Sequence, residues 1–555
     1  MIRPQSWISA ALALVIVPAC GDDGQAATSA ASGALSSTGE TAATTDAATG
    51  DEPTTSGGTD STGSGTTGEP MQFEPMPALG GLEIDWVEAN QGVGVAIGRD
   101  GKGIGGDART SYLLQNRVTL IRAFWKELPE DWVPRPIEAR LIVSGYPEGE
   151  KVLKNVTQVE GASFVGNLNK SFYWGLMAHE VIPGLKYRIE LYETEEGYAM
   201  LAPDTQPGPT PPRMPLEGDA WIGIENSYQV MKVTIVPFSY NFGGCTTTPD
   251  TSEKTIKAFT DYMFMMNPLE RIEVTVHDTI AWQGQLTHFG QLNSFMVDLR
   301  QQDGAPPEMY YYGLVDVCSG GLGGAGGQAI DIPNGAKKSD AWKRISSGLW
   351  LPKNQEWSFE TFVHEVGHSQ GRYHIACDGE AGTDNTYPHP GGNIGEWGFS
   401  VVNYKLYHPT VHKDYMTYCH PVWASTFGWN KTYPVIRELS SWDMEGGKVE
   451  PELKPTLLGM IYPDGSEYWT TVMSDVDTDN LSAVHKLEFY AGGDQLAVFP
   501  VEVRPQPDSD AFNIVAPLPD DFDDVVTHFV RDDGKTRTTV PASALTRRPR
   551  DLKSR

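Results

Sequence analysis

The chain has 555 residues, with 42 Lys and Arg against 72 Asp and Glu, a formal net charge of -30. So acidic a chain is repelled by nucleic acid and by anionic membrane surfaces, which excludes nucleic acid as a partner. With 39% hydrophobic and 10% aromatic residues it can build packed cores, and its length divides them among two to four domains.

The first twenty residues, MIRPQSWISAALALVIVPAC, carry a basic Arg3, an apolar run from Ala10 to Val17 and small residues before Cys20. This pattern predicts a secretory signal, too short to remain as a spanning helix. Val17-Pro18-Ala19-Cys20 is similar to a bacterial lipobox, which implies lipidation of Cys20 and an extracytoplasmic protein, anchored to the outer membrane or cell surface or else secreted. Several acyl chains hold a protein to a membrane more firmly than one. Residues 21–78 are Gly, Ser, Thr, Ala and Asp with almost no large apolar side chain. They cannot bury a core, so a disordered linker is expected, acting as a stalk.

Residues 79–228 read as an N-terminal β-sandwich. GLEIDWVEA, RVTLIRAFWK, EARLIVSGY and YRIELYET are short strands separated by turn signals such as YPEGE and PGLK. Residues 229–436 mix strands, such as VTIVPFSY and RIEVTVHD, with a helical TSEKTIKAFTDYMFMM. Residues 437–545 return to strands (TLLGMIYP, VHKLEFYAGG, LAVFPVEVRP) and are expected to form a C-terminal β-sandwich. The fold class expected is therefore multidomain, with an α+β domain flanked by two β-sandwich-like domains. The basic end RRPRDLKSR reads as a solvated terminus. Beyond Cys20 the cysteines are Cys245, Cys318, Cys377 and Cys419. An even number in an exported chain suggests two disulfides, and sequence alone permits three pairings.

The chemistry concentrates in HEVGHSQGRYH, residues 364–374. Phe359, Phe362, Val363 and Val366 fall on one helical face. His364 and His368 are one turn apart and project together from another. Two imidazole nitrogens at that spacing can reach one ion at about 2.0–2.1 Å. Glu365 points to its flank, where a bound water would be. Gly371 can take the left-handed conformation that ends the helix, turning His374 back to the same ion. Three neutral imidazoles leave an open tetrahedral position for water, the arrangement of a catalytic rather than a structural zinc. In a shuffled chain the full pattern would arise roughly once in ten thousand.

HEVGHSQGRYH matches the metzincin pattern H-E-x-x-H-x-x-G-x-x-H at every fixed position, and KDYMTYC (413–419) resembles the methionine turn of those zinc peptidases, with Met416 as its methionine. The resemblance covers about 229–436. YYYGLV, GGNIGEWG and DYMTYC are similar to segments of bacterial secreted lipoprotein-type members with flanking β-domains, a class that includes mucin-cleaving enzymes. The resemblance implies one catalytic Zn2+ on His364, His368 and His374, with Glu365 as general base, Met416 as an apolar floor and Tyr418 near the zinc as an oxyanion stabiliser. Calcium is allowed but not indicated. If the third histidine and the methionine turn wrap one ion, Cys377 and Cys419 come together, which would leave Cys245 with Cys318. His389, His408 and His412, in the insert between them, read as loop histidines rather than ligands of a second ion.

The glycine-rich CSGGLGGAGGQA (318–329) lacks the GK[ST] ending of a phosphate loop; it reads either as a flexible loop or, by the resemblance, as a substrate-binding edge strand. The resemblance also implies a latency device, in which a propeptide cysteine or aspartate occupies the zinc. Residues 79–228 contain no cysteine, and Asp107 in GIGGDAR reads as a turn residue. The N-terminal region is accordingly expected to be an exosite or spacer. The function expected is a secreted, lipid-anchored zinc endopeptidase acting on extracellular proteins or glycoproteins. The alternatives are a surface adhesion protein with an inactive protease core, which the intact Glu365 argues against, and a zinc amidase acting on cell-wall peptides. The sequence carries no signal for an oligomeric state.

Overall fold

The computed structural model describes residues 75–195, 197, 210–318, 321–322, 324–377, 379–444 and 453–552. The expected signal peptide, Cys20 and nearly all of the expected linker lie outside them. Among the described residues no helix is long and apolar enough to cross a membrane.

The N-terminal strands form two antiparallel sheets. One contains Ile84–Asn90, Thr119–Trp125 and Phe172–Leu176; the other contains Arg135–Tyr146, Gly149–Val159 and Lys186–Glu193. Alternate residues of each strand point inward, so Val87, Ile121 and Trp125 of the first sheet meet Ile137, Leu141 and Ile189 of the second in one buried core. Arg117 fastens this region to the next. Its buried guanidinium donates to the carbonyls of Gln91, Leu269 and Phe264 at 2.7–2.8 Å, and burial lowers its pKa to about 9.

In the central region, strand Val230–Phe242 pairs in parallel with Arg271–Val276, Ile280–Gln283 and Tyr310–Val315. Tyr310–Val315 pairs in parallel with Ile345–Leu349, and Gly327–Ala329 closes that side as an antiparallel edge strand. Both faces are covered, so YYYGLV is buried throughout rather than alternating with solvent. Helices α1 (Glu253–Met266), α3 (Gln355–Ser369) and α4 (Thr426–Ser441) pack on the face that presents Val233, Tyr310 and Tyr312. On the other face, Val236, Phe238 and Tyr311 meet α2 (Gly290–Gln302) and residues of the C-terminal sheet, Leu458, Met460 and Val515. The boundary expected at 436 falls inside α4. That helix continues because Ser440 reaches back to strand Val230–Phe242, where its hydroxyl bonds the Val230 backbone on both sides.

The C-terminal strands correct a second expectation. They form one continuous seven-stranded sheet, not two sheets packed face to face. In a flat sheet, strands Glu467–Ser474 and His528–Asp532 would lie five spacings, about 24 Å, apart. Instead Trp469 and Phe529 have ring centroids 4.9 Å apart, so the sheet curls over its own core of Leu457, Leu487, Phe489 and Ile514. Within it, Asp494–Pro505 and Phe512–Pro517 form a hairpin whose register runs from Glu502↔Val515 to Pro505↔Phe512. Its turn, 506–511, points at the central region.

Candidate metal centre

Helix α3 carries the first two histidines. Phe359, Phe362, Val363 and Val366 bury one face in the core beneath the central sheet, which fixes the rotation of the helix and turns His364 and His368 to the opposite side. The helix ends at Ser369. Gly371 follows with φ 87°, and a Cβ there would come within 2.8 Å of the Pro333 carbonyl oxygen, so only glycine fits both the conformation and the space. The reversal brings His374 back. The ring centroids of the three histidines are 4.9, 5.3 and 4.6 Å apart.

Each imidazole is oriented by a backbone carbonyl. Nδ1 of His364 donates to Tyr415 O at 2.8 Å, that of His368 to Arg372 O at 2.7 Å, and that of His374 to Ala381 O at 2.8 Å. With the proton on Nδ1, every Nε2 presents a lone pair to the same point. His368 Nε2 and His374 Nε2 are 3.1 Å apart, and His364 Nε2 has no partner. Two lone pairs that close repel each other unless a cation lies between them. Tetrahedral bonds of about 2.05 Å would set two nitrogens about 3.3 Å apart, close to the observed separation. The donor set therefore fits a metal ion.

Residues 413–419 pack against the histidine segment. Met416 is fully buried, and its sulfur would be 2.5 Å from a Cβ placed on Gly367 between the two helical histidines. Met416 O accepts from Ile375 N at 3.0 Å, which ties the segment to the residue after His374. Asp414 organises the turn: it accepts from Met416 N at 2.9 Å and forms a fully buried ion pair with Arg372 at 3.2 Å. Cys377 is bonded to Cys419 and Cys245 to Cys318. Glu380, inside the Cys377–Cys419 loop, accepts from Cys377 N and from Tyr418 N at 2.8 Å each. Two disulfides suggest an oxidising, extracytoplasmic environment.

Glu365 is buried between α3 and the edge strand. A Cβ on Gly327 would be 2.7 Å from its Cγ, and Ala329 supplies a backbone hydrogen bond to its carboxylate. Its Oε2 has no partner. Burial, and after it the negative charge of Asp508, push the Glu365 carboxyl well above the usual carboxylate range. Burial brings the His364 pKa down to about 3, which keeps it neutral, the form a ligand requires.

Asp508, in the turn of the C-terminal hairpin, was not expected. Its oxygens lie 3.1 Å from His374 Nε2 and 3.2 Å from His368 Nε2, and it completes a four-residue His–His–His–Asp cluster able to hold a metal. Tyr418 O–H donates to the same carboxylate, and the Tyr418 ring lies 5.0 Å from that of His374. The sequence reading had only three histidines at this centre; the structure adds a carboxylate beside them. No local pattern could have found Asp508, because its turn is delivered by a sheet far along the chain.

The other candidates lie elsewhere. Asp107 is exposed on an N-terminal turn. His389, His408 and His412 join no metal-ligating cluster among the described residues. A cavity of about 1120 Å3 opens in the N-terminal region between Lys102, Arg109, Leu216 and Trp221, and includes none of the three histidines. No protein-family model matches the chain, and no curated protein matches it in sequence.

Proposed function

We propose that the chain is a zinc-dependent endopeptidase of the metzincin type, exported and lipid-anchored at Cys20, that hydrolyses peptide bonds of extracellular proteins or glycoproteins. The observation that carries this reading is the convergence of three Nε2 lone pairs beside a buried Glu365 oxygen that has no other partner. His364, His368 and His374 would hold the ion, and a three-imidazole set of this size suits zinc. Bound there, zinc supplies a Lewis acid and a lowered pKa for water.

The remaining steps belong to side chains of this protein. Glu365 takes the proton of the attacking water and returns it to the leaving amine, so its raised pKa suits both halves of the exchange. The hydrogen bonds from each Nδ1 to a carbonyl hold the imidazoles in the tautomer that binds metal. Strand Gly327–Ala329 lies at the sheet edge beside Glu365, where an extended peptide backbone would align, and glycine at 327 lets it approach closely. The Tyr418 hydroxyl, whose ring lies 5.0 Å from that of His374, would steady the developing oxyanion.

The test compares the zinc-loaded full chain with Glu365→Ala on unfolded casein, a mucin-type glycoprotein and purified cell-wall peptides. Cleavage of a protein substrate by the parent, and none by Glu365→Ala at equal zinc content, is expected. Equal, measurable cleavage by both overturns the assignment, and cleavage of cell-wall peptides alone points to the amidase.

A further inference from the structure

We propose that the C-terminal hairpin turn, residues 506–511, is an internal inhibitor that holds the protein in a latent state, with Asp508 as the displaceable fourth ligand of the metal. The proposal rests on the zinc-peptidase reading, and three observations on the described residues converge on it.

The first is where the Asp508 carboxylate lies. Its oxygens approach His368 Nε2 and His374 Nε2 at 3.2 and 3.1 Å, and Tyr418 O–H donates to the oxygen nearest His374. A reacting water must reach the same histidine nitrogens that the carboxylate already approaches. The carboxylate also engages the Tyr418 hydroxyl, the group assigned above to the oxyanion. A metal held by three imidazoles and a carboxylate is closed, as structural sites are, whereas catalysis needs an exchangeable position.

The second is what flanks Asp508. Gln328 of the edge strand donates to Gln506 Oε1 at 2.8 Å, and Asn513 donates to Ile330 O at 2.8 Å. Arg504 makes a two-pronged ion pair with the buried Asp331 and donates to Ile332 O at 2.8 Å. Residues 504–513 thus run beside the strand that would align a substrate. The hairpin therefore lies both against the metal cluster and beside the strand proposed to align a substrate.

The third is backbone strain. Asp508 has φ 55°, a left-handed conformation that is uncommon for a non-glycine residue and persists where surrounding contacts impose it. Its surroundings are the metal cluster and the turn, which is closed by Gln506 N donating to Ala511 O at 2.9 Å. The platform behind the turn is rigid: Leu458, Met460 and Val515 share a core with Phe238 and Met296 of the central region. Activation therefore means withdrawal of the turn while the sheet stays docked.

The test uses the full chain loaded with Co2+, whose visible bands report coordination without any turnover, titrated with acetohydroxamate as a small bidentate probe. If the turn blocks the fourth position in 99 of 100 molecules, Asp508→Ala tightens apparent acetohydroxamate binding on the order of a hundredfold. The near-isosteric Asp508→Asn, which preserves the turn's shape, tightens it in the same direction. Casein cleavage by the zinc-loaded variants is expected to rise in parallel. Equal response of the cobalt bands in the parent and both variants overturns latency and leaves the peptidase reading standing. Loss of cobalt on Asp508→Ala and Asp508→Asn also overturns it, since Asp508 would then be a permanent structural ligand. If latency is relieved spectroscopically but neither variant cleaves any peptide bond, the inhibitory contact stands and the peptidase reading fails.

Discussion

Removing the Cys377–Cys419 disulfide separates its global effect from its local one. The bond closes a loop of 42 residues. In the chain-entropy model the unfolded state gains about 2.1 + 1.5R ln 42, or about 13 cal/mol/K, when the loop opens, which is about 4 kcal/mol at 25 °C. Cys245–Cys318 spans 73 residues, and the same expression gives about 4.4 kcal/mol. The two paired Cys→Ser variants should thus lose nearly the same stability in urea unfolding. They should differ at the metal. The shorter loop carries Ala381 O, which orients His374, and Glu380, which bonds the backbone at both ends of the disulfide region. Cys377→Ser/Cys419→Ser should therefore bind Co2+ about 10–100-fold more weakly, the range typical for lost outer-shell support, while Cys245→Ser/Cys318→Ser should bind it unchanged. Both are read by competition with a chromophoric chelator. Equal metal affinity in the two variants, or a stability loss under about 1 kcal/mol for either, would refute the reasoning.

Other expectations follow from the same contacts. Asp414→Ala leaves the fully buried Arg372 unpaired and should cost about 3–5 kcal/mol in urea unfolding, with Asp414→Asn costing less. Gly327→Ala puts a Cβ 2.7 Å from both Glu365 Cγ and Thr361 Cγ2; it should cost about 1–3 kcal/mol and lower cleavage at unchanged metal content. His420 donates to Glu360 at 3.1 Å, and that contact raises the His420 pKa above its ordinary value. The charged form is favoured in the folded state, so its stabilisation is complete below the unfolded value of about 6.5 and lost as pH rises through the raised one. Glu360→Gln should therefore narrow the stability gap between pH 5.5 and pH 8, by under about 1 kcal/mol because His420 is half exposed.

The parts of this molecule readable in the sequence are those set by short-range periodicity. His364 and His368 share a helical face because they are four apart, and Gly371 turns the chain because no side chain fits against the Pro333 carbonyl. The strands around Trp125, Leu141 and Ile189 are legible because their inward residues alternate. What escaped is set by long-range packing. The curl of the C-terminal sheet depends on Trp469 meeting Phe529 across the core, which no local pattern encodes. Helix α4 runs past the expected boundary because Ser440 bonds to a strand more than two hundred residues earlier. Asp508 sits in a polar turn like many others, and only the hairpin register between Pro505 and Phe512 aims it at His374.

The most direct test of the central claim is the metal content of the purified full chain by inductively coupled plasma mass spectrometry, with Glu365→Gln and His368→Ala alongside. One zinc per chain in the parent and in Glu365→Gln, and a loss of zinc in His368→Ala, is the result this account predicts. A parent that takes up no zinc, or a His368→Ala variant that keeps a full equivalent, would contradict it.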